Sequence, residues 1–282
     1  MSPFDALETI ASRTWHAIPR FRDRGIRLGE DTITSLALDY LATLGRAFFV
    51  AEDRRRDESE CGCDFELWIG RRGLGWQRYA IQAKKVHFRK QVGRYDSISH
   101  TVGGERQIDT LERYAKQNRA RAIYCLFNHD SGTKGWNCGL DEDREQLGWT
   151  VVPTAVMKKA LDGAVAKTFE AIHAEHRTLP FRCLMRCEKA TCGIHSSGVS
   201  VDESGESTGK AMDVESTADE SNLYATLPDA LGRLRENNKS RDFAEIGLFE
   251  QSSKLYPKRI VLIDASMDNG RSPELGRDER RY

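Results

Sequence analysis

Asp64, Gln82 and Lys84 are the residues whose types and spacing suggest chemistry. Asp64 opens the run Asp64-Phe-Glu-Leu-Trp-Ile69, and Gln82 and Lys84 lie in Tyr79-Ala-Ile-Gln-Ala-Lys-Lys85. The Gly-rich stretch Arg71-Arg-Gly-Leu-Gly75 separates them. Two short apolar runs around such a stretch predict a β-hairpin. Side chains alternate along a strand, so Asp64, Glu66 and Trp68 share one face and Phe65, Leu67 and Ile69 the other. On the second strand Ala80, Gln82 and Lys84 share a face. A turn centred near Gly73 brings Asp64 close to Gln82. Placing a carboxylate, an amide and an ammonium together on a half-buried strand pair is costly, and a metal or phosphate site is the chemistry that would use them.

Helices on either side can add to this cluster. In 29–45 the residues Ile33, Ala37, Tyr40, Leu41 and Leu44 recur at helical spacing, with Gly45 at the end. Glu30 lies on the same stripe at its start. It either projects into the hairpin site or only complements the helix dipole. A second amphipathic helix spans 105–116, with Gln107 at the first turn of its inner face beside Ile108, Leu111, Tyr114 and Ala115. Gln107 either reaches the hairpin or caps backbone groups. After the hairpin, Lys84, Lys85, Arg89, Lys90 and Arg94 follow one another without an acid, with Arg78 just upstream and Phe88 and Tyr95 interleaved. Such a strip suits a phosphate backbone, and taken alone it also suits an exposed loop.

Short strands are expected at 47–50, 121–127, 149–152 and 259–264, and helices in part of 1–24, over 153–177 and from about 228. The order predicts a mixed α/β sheet covered by helices. Residues 1–177 read as the core, 178–195 as a Cys-rich segment, 196–222 as a disordered acidic linker or insertion, 223–265 as a C-terminal helix and strand, and 266–282 as a flexible tail. Cys183, Cys187, Cys192 and His195 could hold structural Zn²⁺, but they contain no Cys-x-x-Cys pair, which favours buried or unpaired thiols. Cys61-Gly62-Cys63 is a weaker metal signal still. Seven Cys scattered over 282 residues argue for reduced thiols rather than a disulfide framework. No apolar run approaches a membrane span and no signal pattern opens the chain, so a cytoplasmic protein is expected. The net charge of zero excludes a whole-protein basic field, so any nucleic-acid contact must come from local patches.

Glu30 on a leading helix, Asp64 opening the first hairpin strand, and Gln82-Ala83-Lys84 on the second resemble the PD-(D/E)xK phosphodiesterase superfamily. More narrowly, Glu60-x-x-x-Asp64-x-Glu66-Leu-Trp, Gln82-Ala-Lys-Lys, Gln107-x-x-x-Leu111 and Ile123-Tyr124-x-x-Phe127 look like an uncharacterised bacterial family of such proteins, over about residues 28–130. The resemblance implies a restriction-endonuclease-like α/β (α+β) fold, a mixed central sheet flanked by helices, here with a C-terminal extension. It implies Mg²⁺ or Mn²⁺ held by Asp64, Gln82, the Ala83 carbonyl and Glu30, with Lys84 stabilising developing charge. Glu66 is an auxiliary candidate or else part of a surface salt bridge, and Gln107 is a second auxiliary. Lys85, Arg89, Lys90 and Arg94 would contact nucleic acid. The implied activity is that of a DNA endonuclease in bacterial defence or DNA maintenance, with a homodimer as the implied assembly. Two residues depart from the pattern: Cys63 stands where Pro is usual, and Gln82 where a carboxylate is usual. The alternative is a catalytically inactive nuclease-fold protein that binds nucleic acid or serves as an adaptor.

Overall fold

The computed structural model describes residues 1–52, 61–129, 136–186, 223–236 and 257–267. Helix α1 (Pro3–Asp23) starts at a capping box, in which the Ser2 and Asp5 side chains each accept the other's backbone N–H. Then come α2 (Glu30–Thr43), β1 (Phe48–Glu52), β2 (Phe65–Arg71) and β3 (Gly75–Lys85). Two small hairpins follow, β4 (His87–Arg89) with β5 (Val92–Arg94) and β6 (Thr101–Val102) with β7 (Glu105–Arg106). The chain continues through α3 (Gln107–Gln117), β8 (Arg121–Phe127), β9 (Trp149–Pro153), α4 (Thr154–Leu161) and α5 (Phe169–Ala174). The last described elements are β10 (Leu179–Pro180), α6 (Cys183–Arg186), β11 (Leu223–Tyr224), α7 (Asp229–Glu236) and β12 (Arg259–Asp264).

The main sheet is mixed, in the order β1-β12-β2-β3-β8-β9-β10, with β11 beside the start of β3. The β12–β2 and β3–β8 pairs are parallel and the other pairs antiparallel. Strand β12 lies inside the sheet because both its faces are apolar. Val261 and Ile263 join the large cluster that includes Leu7, Ile10 and Trp15 of α1 and Ile33 and Leu41 of α2. Ile260 and Leu262 pack with Trp68 and Trp76 against Ala230, Leu231 and Leu234 of α7. The segment 223–265 thus supplies strands and a covering helix to the same sheet as the core. The stretch 153–177, expected as one helix, forms two, since the chain turns at Gly163 with φ +84° after α4. A left-handed glycine there ends the first helix.

His173 of α5 is fully buried and stacked on Phe169, with ring centroids 4.0 Å apart. Its Nδ1 donates to the Phe169 carbonyl at 2.8 Å, and Nε2 lies 3.1 Å from Thr150 Oγ1. Burial lowers its pKa to about 4. The unfolded imidazole takes a proton near pH 6.5, whereas the folded one resists it until about pH 4. Stability is therefore whole above that window, falls as pH drops through it, and flattens below, by about 3 kcal/mol in total. His173→Gln should remove most of that slope in urea titrations from pH 7 to pH 4, and an unchanged slope would contradict the assignment.

Candidate functional site

The β2–β3 ladder begins at Phe65 opposite Ile81, and Asp64 adds one bond from its N to the Ile81 carbonyl at 2.8 Å. This sets Asp64 against Gln82. Before Asp64 the chain turns away at Cys61-Gly62-Cys63. Gly62 has φ +67°, and a Cβ there would come 2.9 Å from the Leu111 N on α3, so only glycine lets this turn seat on the helix.

Backbone N–H groups alternate sides along a strand. Val86 N bonds the Phe127 carbonyl of β8 at 2.9 Å, so the N–H groups of Ala83 and Lys85 point the other way, past the end of β2. Two carboxylates take them. Asp64 Oδ2 accepts from Ala83 N, and Glu30 Oε1 accepts from Lys85 N at 2.8 Å. The buried stripe of α2 (Ile33, Ala37, Leu38, Leu41) holds Glu30 there. Asp64 Oδ2 also accepts from Gln82 Nε2, which donates in addition to the Ala83 carbonyl at 3.2 Å. Gln82 is 2% exposed, and its Oε1 is buried with no hydrogen-bond partner among the described residues. Lys84, two residues on and on the same face, is 6% exposed. Its ion pair is a long one, 4.0 Å from Nζ to Glu30 Oε2. Glu30, Asp64, Gln82, Ala83 and Lys84 therefore meet at one end of the hairpin.

Glu66 is not in a surface salt bridge. It is 1% exposed and pairs with Arg78 at 2.7 Å, while Tyr114 Oη and Trp68 Nε1 donate to it at 2.7 and 2.6 Å. Arg78 accordingly leaves the cationic strip for the interior. Gln107 opens α3, where its backbone N donates to the His100 carbonyl at 3.1 Å and its Oε1 is buried with no partner among the described residues. Tyr124 of β8 enters the sequence reading only through the Ile123-Tyr124-x-x-Phe127 likeness, with no role attached to it. It stands opposite Gln82 in the parallel β3–β8 register and so shares its face. Its hydroxyl is buried with no hydrogen-bond partner among the described residues, and burial first, then the Asp64 charge, raises its pKa.

The Cys61 and Cys63 Sγ atoms lie 2.9 Å apart, and Cys183 is buried 3.0 Å from Cys138 Sγ. The other members of the zinc reading, Cys187, Cys192 and His195, lie outside the described residues, as do Glu60, the charged loop 53–60, the linker 196–222 and residues 268–282. Among the described residues no group of three or more His, Cys, Asp or Glu side chains could hold a metal. The hairpin cluster instead joins two carboxylates to an amide and a backbone carbonyl. No helix among the described residues is long and apolar enough to cross a membrane.

Residues 3–269 match the model of a family of unknown function, DUF6615. The chain belongs to that family. No curated protein and no solved structure matches it. What this DUF6615 member does must therefore be read from its own side chains.

An unpartnered buried hydroxyl costs roughly 1–3 kcal/mol. Tyr124→Phe should leave the thermal midpoint unchanged or raise it, as calorimetry would show. A loss of more than about 1 kcal/mol would mean that the hydroxyl has a partner in the fold.

Proposed function

We propose that the chain is a metal-dependent nuclease of the PD-(D/E)xK type, with α2, β1, β2, β3, α3 and β8 as a restriction-endonuclease-like core. One observation carries the reading. The Asp64 carboxylate and the Ala83 carbonyl both accept from the Gln82 amide, with the buried Lys84 ammonium on the same face. Rotating the Gln82 amide exchanges Nε2 for the unpartnered Oε1. Three oxygens would then face each other, an arrangement that a hard cation stabilises.

The donor set fits Mg²⁺ or Mn²⁺, held by Asp64, Gln82 and the Ala83 carbonyl, with Glu30 as a further ligand directly or through water. Such an ion supplies Lewis acidity at a phosphoryl group. Lys84 places a desolvated positive charge where negative charge builds during attack by water. Glu30 lies 4.0 Å from the Lys84 ammonium and helps keep it at the end of β3. The neutral Gln82 leaves the set one negative charge short of the usual pattern, so weak metal affinity is expected, and Gln82→Glu should tighten it. DNA is the proposed substrate, cut internally in defence or DNA maintenance, with a homodimer suited to cutting two strands. A second reading keeps nucleic-acid binding without cleavage. It is favoured by the amide at position 82, which satisfies Asp64 with hydrogen bonds alone.

Supercoiled plasmid with Mg²⁺ or Mn²⁺ tests the proposal. Asp64→Ala and Lys84→Ala should each slow cutting by about a hundredfold or more. Cutting that survives both substitutions would show the site is elsewhere. A parallel assay with RNA decides the substrate class.

A further inference from the structure

We infer that the end of α1, the turn after it and the β4–β5 hairpin form one cationic cradle for the phosphate backbone of a nucleic-acid duplex, leading into the hairpin site. This rests on the nuclease reading above and adds residues that the strip after Lys84 does not contain. The Arg22 guanidinium lies over the Phe88 ring, 4.8 Å from its centroid, and so joins α1 to β4. Arg24 and Arg27 follow in an exposed turn made by Gly25 at φ +68°. On the other side Lys90 and Gln91 both adopt positive φ, +48° and +66°, at the tip of the β4–β5 hairpin. Two successive non-glycine residues in that region are strained, and the turn leaves Lys90 exposed. Arg89 is 74% exposed along its side chain.

The charges are close enough to act on one another. The His87 imidazole is held below its ordinary value by burial, then by Lys85, with Arg27 adding to this and Glu30 and Asp96 opposing. Acids balance only part of the patch. Asp96 serves both Arg89 and Arg94 at 3.3 Å, and Asp23 pairs with Arg22 at 3.2 Å. Arg24, Arg27 and Lys90 form no ion pair with a described residue. A chain with a net charge of zero has concentrated cations here, and crowding of like charge destabilises the folded state. An extended polyanion relieves it. The cradle begins at the reacting end, because Lys85 donates its backbone N–H to Glu30 and β4 starts two residues further on.

Fluorescence anisotropy with a labelled short DNA duplex in Ca²⁺ or EDTA, over a KCl series, tests this without cutting. Arg24→Ala with Arg27→Ala should weaken binding about tenfold or more and make the plot of log affinity against log salt shallower by about two. Arg144→Ala, at an exposed position that starts the short 3₁₀ turn before β9, should change neither. The arginines are exposed, so an unchanged thermal midpoint serves as the folding control. Wild-type affinity and slope in the double variant would overturn the cradle, as would binding to anionic vesicles but to no duplex. Asp64→Ala separates the two proposals. If it abolishes cutting while the double variant binds and cuts normally, the cradle falls and the site stands. If it cuts normally while the double variant loses binding, the site falls and the cradle stands.

Discussion

Strand β2 stops short of β3, and the backbone N–H groups of Ala83 and Lys85 are left to be served by something other than a strand. Buried N–H groups do not stay unpaired in folded proteins, so this constraint recruits Asp64 and Glu30. Asp64 arrives from the turn at Gly62, and Glu30 arrives from the first turn of α2. Lys84 falls between the two anchored positions because it is the residue between them on β3. The polar groups of the site are in place because the ladder ends where it does.

The rest of the sheet makes that end rigid. Inside the hairpin, Glu66 and Arg78 form a buried pair completed by Trp68, Tyr114 and the Asn118 carbonyl, which Arg78 Nη1 reaches at 2.8 Å. Removing one partner from such a pair leaves an uncompensated charge and costs roughly 3–5 kcal/mol. The pair lies two residues from Asp64 and ties β2 and β3 to α3. Strand β12 holds the other edge of β2 in parallel register from Ile260 opposite Glu66 to Asp264 opposite Gly70. The proposed metal site would need ligands held in place before the ion arrives, and these contacts bear on both strands that would carry them.

Much of this was legible in the sequence because it is local. Alternation placed Asp64, Gln82 and Lys84 on one face, the turn fixed their register, and helical spacing placed Glu30 at the head of α2. What escaped was non-local or hidden in plain composition. Tyr124 is one apolar-looking residue in a buried strand until the β3–β8 register sets it against Gln82. The position of β12 between β1 and β2 depends on a partner nearly two hundred residues away in the chain. The sequence leaves Glu66 open between an auxiliary of the site and a surface salt bridge, because its Arg78 and Tyr114 partners come from the next strand and a helix. The break between α4 and α5 was visible as Asp162-Gly163, but the apolar positions on either side kept the helical period.

The proposed site makes its sharpest claim about one amide. Crystals of the protein soaked with Mn²⁺ and measured for anomalous scattering should place the ion about 2.1–2.2 Å from the Asp64 carboxylate, the Gln82 Oε1 and the Ala83 carbonyl, with the amide turned from its present orientation. Mn²⁺ elsewhere, or a Gln82 Nε2 that still donates to Asp64 at saturating metal, would contradict the account.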